Sequence, residues 1–329
     1  MKIAYIYGGQ GSQVEGMGQD LYTEYPFIRD FYESLKVDFP LKELSFQGDL
    51  KTISQTEYTQ PLMLVFQMAI TKVLASHGIK PDIVLGLSLG EYSALYASGV
   101  LREEDLLKVI QYRSKQMAQV SKKVDSKMLA VFSDDIEGIG DICKSYSNES
   151  NFVQVSNINT KGQIVISGHR DLVLKVNIHL KNDGYKVKEL NTSGPFHTSY
   201  MSEVSSNLRK YFNNLEFRQA QVPIIYNLNG DFSEKGDIKD IMAKQVSNPV
   251  LFKNCLEKVL DQDLDLIIEI GHKNTIKGLM KRLAKEDKVL PINTVESIKK
   301  LVKEVESSGR EKGGTNYWGF KRYRKSYSH

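Results

Sequence analysis

The stretch Asp82-Ile-Val-Leu-Gly-Leu-Ser-Leu-Gly-Glu-Tyr-Ser-Ala-Leu95 constrains this chain more than any other. An apolar run, Ile83 to Leu85, meets Gly86-Leu87-Ser88-Leu89-Gly90, a G-x-S-x-G pattern. Glu91, Ala94, Leu95 and Ala97 then continue as a helix that Gly99 is suited to stop. A strand that feeds a helix through so tight a turn holds the serine in strained backbone with its hydroxyl exposed. The two glycines leave room for the bend and for close strand–helix contact. Ser88 is therefore a candidate nucleophile; the other reading of the pattern is a plain strand-to-helix turn.

Strands alternate with helices on both sides of this motif. Ile3 to Tyr7 reads as a buried strand, and Ile224 to Tyr226 and Leu266 to Ile270 read as further ones. Thr59-Gln60-Pro61 opens a helix to about His77, with Pro61 in its first turn and Gly78 as the stop. This alternation predicts an α/β fold around a parallel sheet, with functional loops at the carboxyl ends of the strands. Between Lys127 and Leu190 the order changes to strand, helix, two hairpin strands, helix, strand, which is the ferredoxin-like plan. Residues 126–191 are accordingly read as a small domain inserted into a discontinuous large one, 1–125 and 192–306.

The first strand ends in Gly8-Gly-Gln-Gly-Ser-Gln13, whose backbone can approach a ligand closely. It lacks the lysine of a P-loop, and Val14 stands where a G-x-G-x-x-G fingerprint needs glycine. A structural turn and a loop that offers N–H groups to an active site both remain open.

The helix that opens at Glu103-Glu-Asp105 carries a stripe of Leu106, Ile110, Arg113 and Met117. Arg113 thus shares an apolar face, where a guanidinium needs an anionic partner. Spacing alone leaves that partner open between an internal carboxylate and an anionic group of a substrate, held in bidentate fashion. His197 lies in the loop Asn191 to His197, just before or at the start of a helix marked by Met201, Val204, Leu208 and Phe212. A helix N-terminus disfavours imidazolium and would keep a base neutral. Among the other histidines, His272, directly after the Leu266 strand, is the second candidate.

Composition narrows the class. The chain has 329 residues, enough for a sizeable core, with 41% hydrophobic and 26% charged residues. No apolar run approaches the length of a transmembrane helix, and Met1 to Tyr7 has no signal-peptide layout. Cys143 and Cys255 form no C-x-x-C and no metal-ligand cluster, which suits buried thiols in a reducing compartment. The net charge of +4 comes from the C-terminus: residues 309–329 hold Arg310, Lys312, Lys321, Arg322, Arg324 and Lys325 against one acid, Glu311. The rest of the chain is near neutral. Such a tail can touch nucleic acid or membrane. It has no helical or strand period, so residues 307–329 are read as a disordered end.

Taken together, these segments resemble the malonyl-CoA:acyl-carrier-protein transacylases over about residues 1–305. Gly9-Gln-Gly-Ser-Gln13 is similar to that family's GQGSQ loop, and Gly86 to Glu91 to its G-H-S-L-G-E elbow. Arg113 falls where the family has a carboxylate-binding arginine, and His197 where it has its catalytic histidine. Gln245 with Asn248-Pro249 resembles its Q-x-x-N-P loop. The resemblance implies an α/β-hydrolase-like large domain with a ferredoxin-like insert. It implies transfer of malonyl from malonyl-CoA to the thiol of holo-acyl-carrier protein through a malonyl-Ser88 ester. His197 would be the base, oriented by a backbone carbonyl near Gln245. The N–H groups of Gln10 and Leu89 would hold the oxyanion, and Gln60 and Phe196 would join Arg113 around the substrate.

Three positions depart from the family pattern: Leu87 for histidine, Gly9 for proline, and Phe196 where stand-alone bacterial members often have serine. Phenylalanine there is similar to malonyl-selecting domains of polyketide synthases. The alternative function is therefore a trans-acting acyltransferase or acyl hydrolase of a polyketide pathway; a non-catalytic scaffold that binds the carrier or, through its tail, nucleic acid is a third. The expectation is a cytoplasmic monomer with no cofactor or metal, binding neither nucleic acid nor membrane.

Overall fold

The computed structural model describes residues 1–191, 194–232, 237–284 and 288–310, with side chains to 307. Strand β1 (Ile3–Tyr7) leads into α1 (Gln19–Glu24), α2 (Pro26–Ser34), α3 (Leu41–Gln47), α4 (Leu50–Ile53) and the long α5 (Thr56–Ser76). Strand β2 (Ile83–Gly86), α6 (Gly90–Ala97) and α7 (Glu103–Lys123) follow. Next come β3 (Ser126–Phe132), α8 (Ile136–Tyr146), β4 (Val153–Thr160), β5 (Gln163–His169), α9 (Arg170–Asn182) and β6 (Lys186–Glu189). The chain returns through α10 (Ser202–Asn213), β7 (Ile224–Tyr226), β8 (Asp231–Phe232), α11 (Ile238–Lys244) and α12 (Phe252–Leu260). It ends with β9 (Leu266–Ile270), α13 (Thr275–Ala284), β10 (Val289–Ile292) and α14 (Val295–Arg310).

The large sheet has the order β10-β9-β1-β2-β7-β8, parallel except for the β7–β8 pair. Its central strands are buried on both faces, as a parallel sheet between helices requires. Alternation sorts the side chains. Tyr5, Tyr7, Val84, Ile224 and Ile268 enter one apolar cluster with α5, α6 and α7. Ala4, Ile6, Leu85, Ile225 and Ile267 enter another with α12 and α13. One acid interrupts this pattern. Glu269 in β9 is buried, and its carboxylate accepts the backbone N–H groups of Ile276 and Lys277, both at 2.9 Å, at the start of α13.

The second sheet, antiparallel in the order β4-β5-β3-β6, packs α8 and α9 over its own core of Leu129, Val131, Ile139, Ile164, Val173 and Val176. This is the ferredoxin-like arrangement expected from the sequence. It is tied to the rest of the chain by a parallel bridge between Asn157 and Val250, just before α12, and by a 2.8 Å bond from the Thr160 hydroxyl to the Leu279 carbonyl in α13.

Pro61 is not in the first turn of its helix. Helix α5 starts at Thr56, so Pro61 is interior. Proline there leaves the carbonyl four residues back without its N–H. That carbonyl, Glu57 O, accepts the Ser114 hydroxyl from α7 at 3.3 Å instead. At the other end of the chain, α14 continues through Arg310. Helical backbone therefore covers the first residues of the segment read as a tail, and residues 311–329 lie outside the described residues. Among the described residues no helix is long and apolar enough to cross a membrane.

Candidate active site

Strand β2 delivers Ser88 at the carboxyl edge of the large sheet, next to the strand end of β1. The turn cannot be made by other residues. A Cβ on Gly86 would collide with the Gly90 backbone, and one on Gly90 would collide with the Tyr7 carbonyl. Ser88 itself sits at φ 52°, a left-handed conformation that costs a non-glycine residue energy. The strain is held by Asn227, just beyond β7. Its side-chain oxygen accepts the Ser88 N–H at 2.7 Å and its amide nitrogen donates to Gly86 O at 2.7 Å, spanning the elbow.

His197 reaches the serine from the loop after β6. Its backbone is also left-handed, φ 59°, and its N–H donates to Val246 O at 3.0 Å. Ring atom Nδ1 lies 2.9 Å from the Gln245 carbonyl, and Nε2 lies 2.7 Å from Ser88 Oγ. A carbonyl only accepts, so Nδ1 carries the proton and Nε2 is left to accept from the hydroxyl. The residue is 4% exposed. Its pKa falls from 6.5 to about 4, first through burial and then through the positive charge of Arg113. The expected cause was a helix N-terminus. However, α10 starts only at Ser202, after a short 3-10 turn at Ser199–Met201, so burial is what keeps this imidazole neutral.

Arg113 projects from α7 into the same place and is 1% exposed. It donates to Gln60 Oε1 at 2.6 Å, to Gln245 Oε1 at 3.0 Å and to Ser88 Oγ at 3.3 Å. Its guanidinium carbon lies 5.2 Å from the centre of the Tyr92 ring, a cation–π contact. The Nε–H has no hydrogen-bond partner among the described residues. Every protein acceptor it touches is neutral. Burial lowers its pKa, but a guanidinium remains charged at any physiological pH. The internal ion pair that spacing left open is thus absent among the described residues.

The remaining expected residues fall around this centre in different ways. Gln60 and Gln245 are buried and touch Arg113 directly. Gln10 donates its side-chain amide to Thr56 Oγ1 at 3.1 Å. Among the described residues, the backbone N–H groups of Gln10 and Leu89 are given to no other protein group. Phe196 is buried in the same apolar cluster as Leu89 and Met117. His272 belongs elsewhere: it stacks on Phe66 at 4.9 Å and borders a separate depression with Asp20 and Thr294.

Two residues of the centre escaped the sequence reading. Asn227 follows a short buried strand, a position at the carboxyl edge of the sheet that marks it in retrospect. Glu91 was read only as part of the elbow motif and its helix. It is 1% exposed, accepting the Asn227 N–H at 2.7 Å and the side-chain amide of Gln245. Burial raises its pKa from 4.5 to about 7, against the pull of those two hydrogen bonds and of Arg113.

A strained serine on a strand–helix elbow, a neutral histidine on its hydroxyl and, beside both, a guanidinium with no carboxylate in bonding distance among the described residues can run acyl transfer with a carboxylated acyl group. Known proteins agree. The family model described as the acyl transferase domain matches residues 4–315. A malonyl CoA-acyl carrier protein transacylase of Staphylococcus aureus (strain MRSA252) is 37% identical over 302 residues, covering 91% of this chain and 97% of the relative. The chain belongs to the malonyl CoA-acyl carrier protein transacylase family. The transacylase of Bacillus subtilis (strain 168) is 32% identical over 90% of this chain and 95% of its own. Among solved structures, the transacylase from Clostridium perfringens superposes with a TM-score of 0.88 at 30% identity, over 95% of this chain and 100% of that one. A malonyl-transacylase solved in complex with its type II PKS acyl-carrier protein gives a TM-score of 0.87 at 28% identity, over 92% of this chain and 100% of that one. Ser88, Arg113 and His197 all lie within the residues that the family model matches.

Proposed function

We propose that this protein transfers the malonyl group of malonyl-CoA to the phosphopantetheine thiol of holo-acyl-carrier protein, supplying fatty-acid synthesis. The observation that carries this reading is the buried guanidinium of Arg113, without an acidic partner among the described residues and 3.3 Å from the hydroxyl of Ser88. In a malonyl ester one methylene separates the acylated carbonyl from the free carboxylate. A cation that selects malonyl must therefore stand next to the nucleophile, as Arg113 does.

The reaction is ping-pong. His197 Nε2 takes the proton of Ser88 Oγ as the oxygen attacks the thioester carbonyl. The N–H groups of Leu89 and Gln10 hold the oxyanion. The coenzyme A sulfur leaves and takes the proton from the imidazolium. In the second half the carrier thiol gives its proton to Nε2 and attacks the malonyl-serine ester. Ser88 Oγ leaves and recovers the proton. The Gln245 carbonyl keeps Nδ1 protonated throughout, so serine and histidine act as a dyad. Gln60 and Gln245 fix the guanidinium, and Phe196 closes the pocket with apolar surface. The enzyme is read as a cytoplasmic monomer acting on malonyl-CoA and carrier protein, with no nucleic-acid or membrane ligand. Its buried, unpaired Cys143 and Cys255 suit a reducing compartment.

The test is intact-protein mass spectrometry after incubation with malonyl-CoA. A malonyl adduct on the Ser88 peptide that holo-carrier protein removes and water does not is the expected result. Rapid loss to water without carrier would make the protein a hydrolase, and absence of any adduct would sink the reading.

A further inference from the structure

The side-chain amide of Gln245 is the only group, among the described residues, that touches Ser88, Arg113 and Glu91 at once. Its nitrogen donates to the Ser88 carbonyl at 2.7 Å and to the Glu91 carboxylate, and its oxygen accepts from Arg113 at 3.0 Å. An amide can turn over, so its neighbours decide which end points where. Ser88 O and the Glu91 carboxylate accept, and Arg113 donates only. Glu91 holds its own place because its other oxygen accepts the Asn227 N–H, the residue that spans the elbow. An acidic group and a guanidinium are thereby kept one amide apart, linked through a neutral side chain instead of paired.

We propose that Glu91 is a positioning residue for acyl-group selection: it fixes Gln245 so that an amide oxygen holds Arg113 beside Ser88 while the guanidinium charge stays free for the substrate carboxylate. This rests on the malonyl-transfer reading. A direct Glu91–Arg113 ion pair would satisfy both buried charges and leave nothing to distinguish malonyl from acetyl. The neutral link holds the cation in place and leaves its charge unspent.

Glu91→Gln is the first test. Its new N–H₂ must face either the Asn227 N–H or the Gln245 amide nitrogen, and both are donors. Turning Gln245 over relieves the second clash but aims its nitrogen at Arg113. The value of kcat/KM for malonyl-CoA should fall about tenfold or more, chiefly through KM, as expected for one misdirected charge-assisted hydrogen bond. Transfer from acetyl-CoA should change far less. The second test is the double variant Glu91→Gln with Gln245→Glu. The two side chains can again bond to each other, but a carboxylate now neutralises Arg113. Its malonyl-to-acetyl ratio should stay collapsed, because the new carboxylate takes up the charge of Arg113.

A merely structural Glu91 would lower both substrates alike in the single variant, and that result overturns the proposal. Should Glu91→Gln not fold, the double variant decides: a wild-type malonyl-to-acetyl ratio in it overturns the proposal equally. The wild-type protein separates the two levels. If it forms no malonyl-Ser88 ester, the functional reading itself fails; if it forms one and prefers malonyl, only the role of Glu91 is at stake.

Discussion

Ser88 Oγ and His197 Nε2 stand 2.7 Å apart, and both residues hold that position from left-handed backbone, at φ 52° and φ 59°. Neither is glycine, so the fold bears strain on both sides of one hydrogen bond. The strain is restrained by neighbouring groups: Asn227 on the Ser88 N–H, and Val246 O on the His197 N–H. Ser88→Ala keeps those backbone restraints and removes only the nucleophile. It should fold with a melting temperature close to wild type and form no malonyl adduct. An adduct that persists, or that maps to Ser12 in the neighbouring loop, would overturn the assignment.

The geometry also separates the two candidate bases. His197→Ala should slow acylation about 10²–10⁴-fold, the usual contribution of general base catalysis. His272 stacks on Phe66 in another part of the molecule, so His272→Ala should leave acylation within about threefold, as expected of a side chain outside the reacting centre. Single-turnover acylation rates with malonyl-CoA check both. A greater loss from the His272 variant would move the dyad.

Two buried groups of the centre, His197 and Glu91, predict a pH signature in stability. His197 titrates near 4 when folded and 6.5 when not, so between these values only the unfolded chain takes a proton. Acidification through that window destabilises the fold, by about 3 kcal/mol in full. Glu91 titrates near 7 when folded and 4.5 when not, so between these values only the folded chain takes a proton. Acidification there stabilises the fold by a similar amount, ~3 kcal/mol. The two oppose each other over the shared window. Relative to wild type, His197→Ala should therefore gain stability as pH falls from about 6.5 to about 4.5, and Glu91→Gln should lose it. Urea denaturation at several pH values reads this directly. Two variants whose stability tracks wild type in parallel would show that neither group is shifted as described.

Much of this centre was legible because local pattern and chemistry coincide in it. The elbow announces itself through two glycines that contact geometry makes obligatory, and the stripe on α7 placed Arg113 on a buried face before any partner was visible. The ferredoxin-like unit was legible because alternation and helical period change in order along 126–191. Asn227 and Glu91 were not, since each acts through contacts across more than a hundred residues, and no local period encodes such a partner. Pro61 misled for the same reason: the hydroxyl that rescues its helix comes from Ser114 on α7. The departures at Gly9 and Leu87 also gain meaning only in space. A Cβ on Gly9 would lie 2.6 Å from Leu87 O and 3.2 Å from Leu87 Cγ, so the two unusual residues form one contact.

Arg113 offers the sharpest test of function. It sits beside Tyr92 with neutral oxygens on both terminal nitrogens, and its charge is compensated by no carboxylate within bonding distance among the described residues. A substrate carboxylate would meet a guanidinium already desolvated and already oriented, where charge-assisted bonds contribute roughly 1.5–3 kcal/mol or more. Arg113→Ala should therefore lower kcat/KM for malonyl-CoA about ten- to a hundredfold or beyond. Acetyl-CoA brings no carboxylate, and the variant no longer buries an uncompensated cation, so its use should fall little or rise. Arg113→Lys should rescue poorly, because an ammonium cannot reach Gln60, Gln245 and a carboxylate with the fixed fork of a guanidinium. The measurement is the ratio of kcat/KM for the two thioesters in wild type and both variants. An unchanged ratio would mean that selectivity lies with groups other than Arg113, and that its burial beside Ser88 serves packing alone.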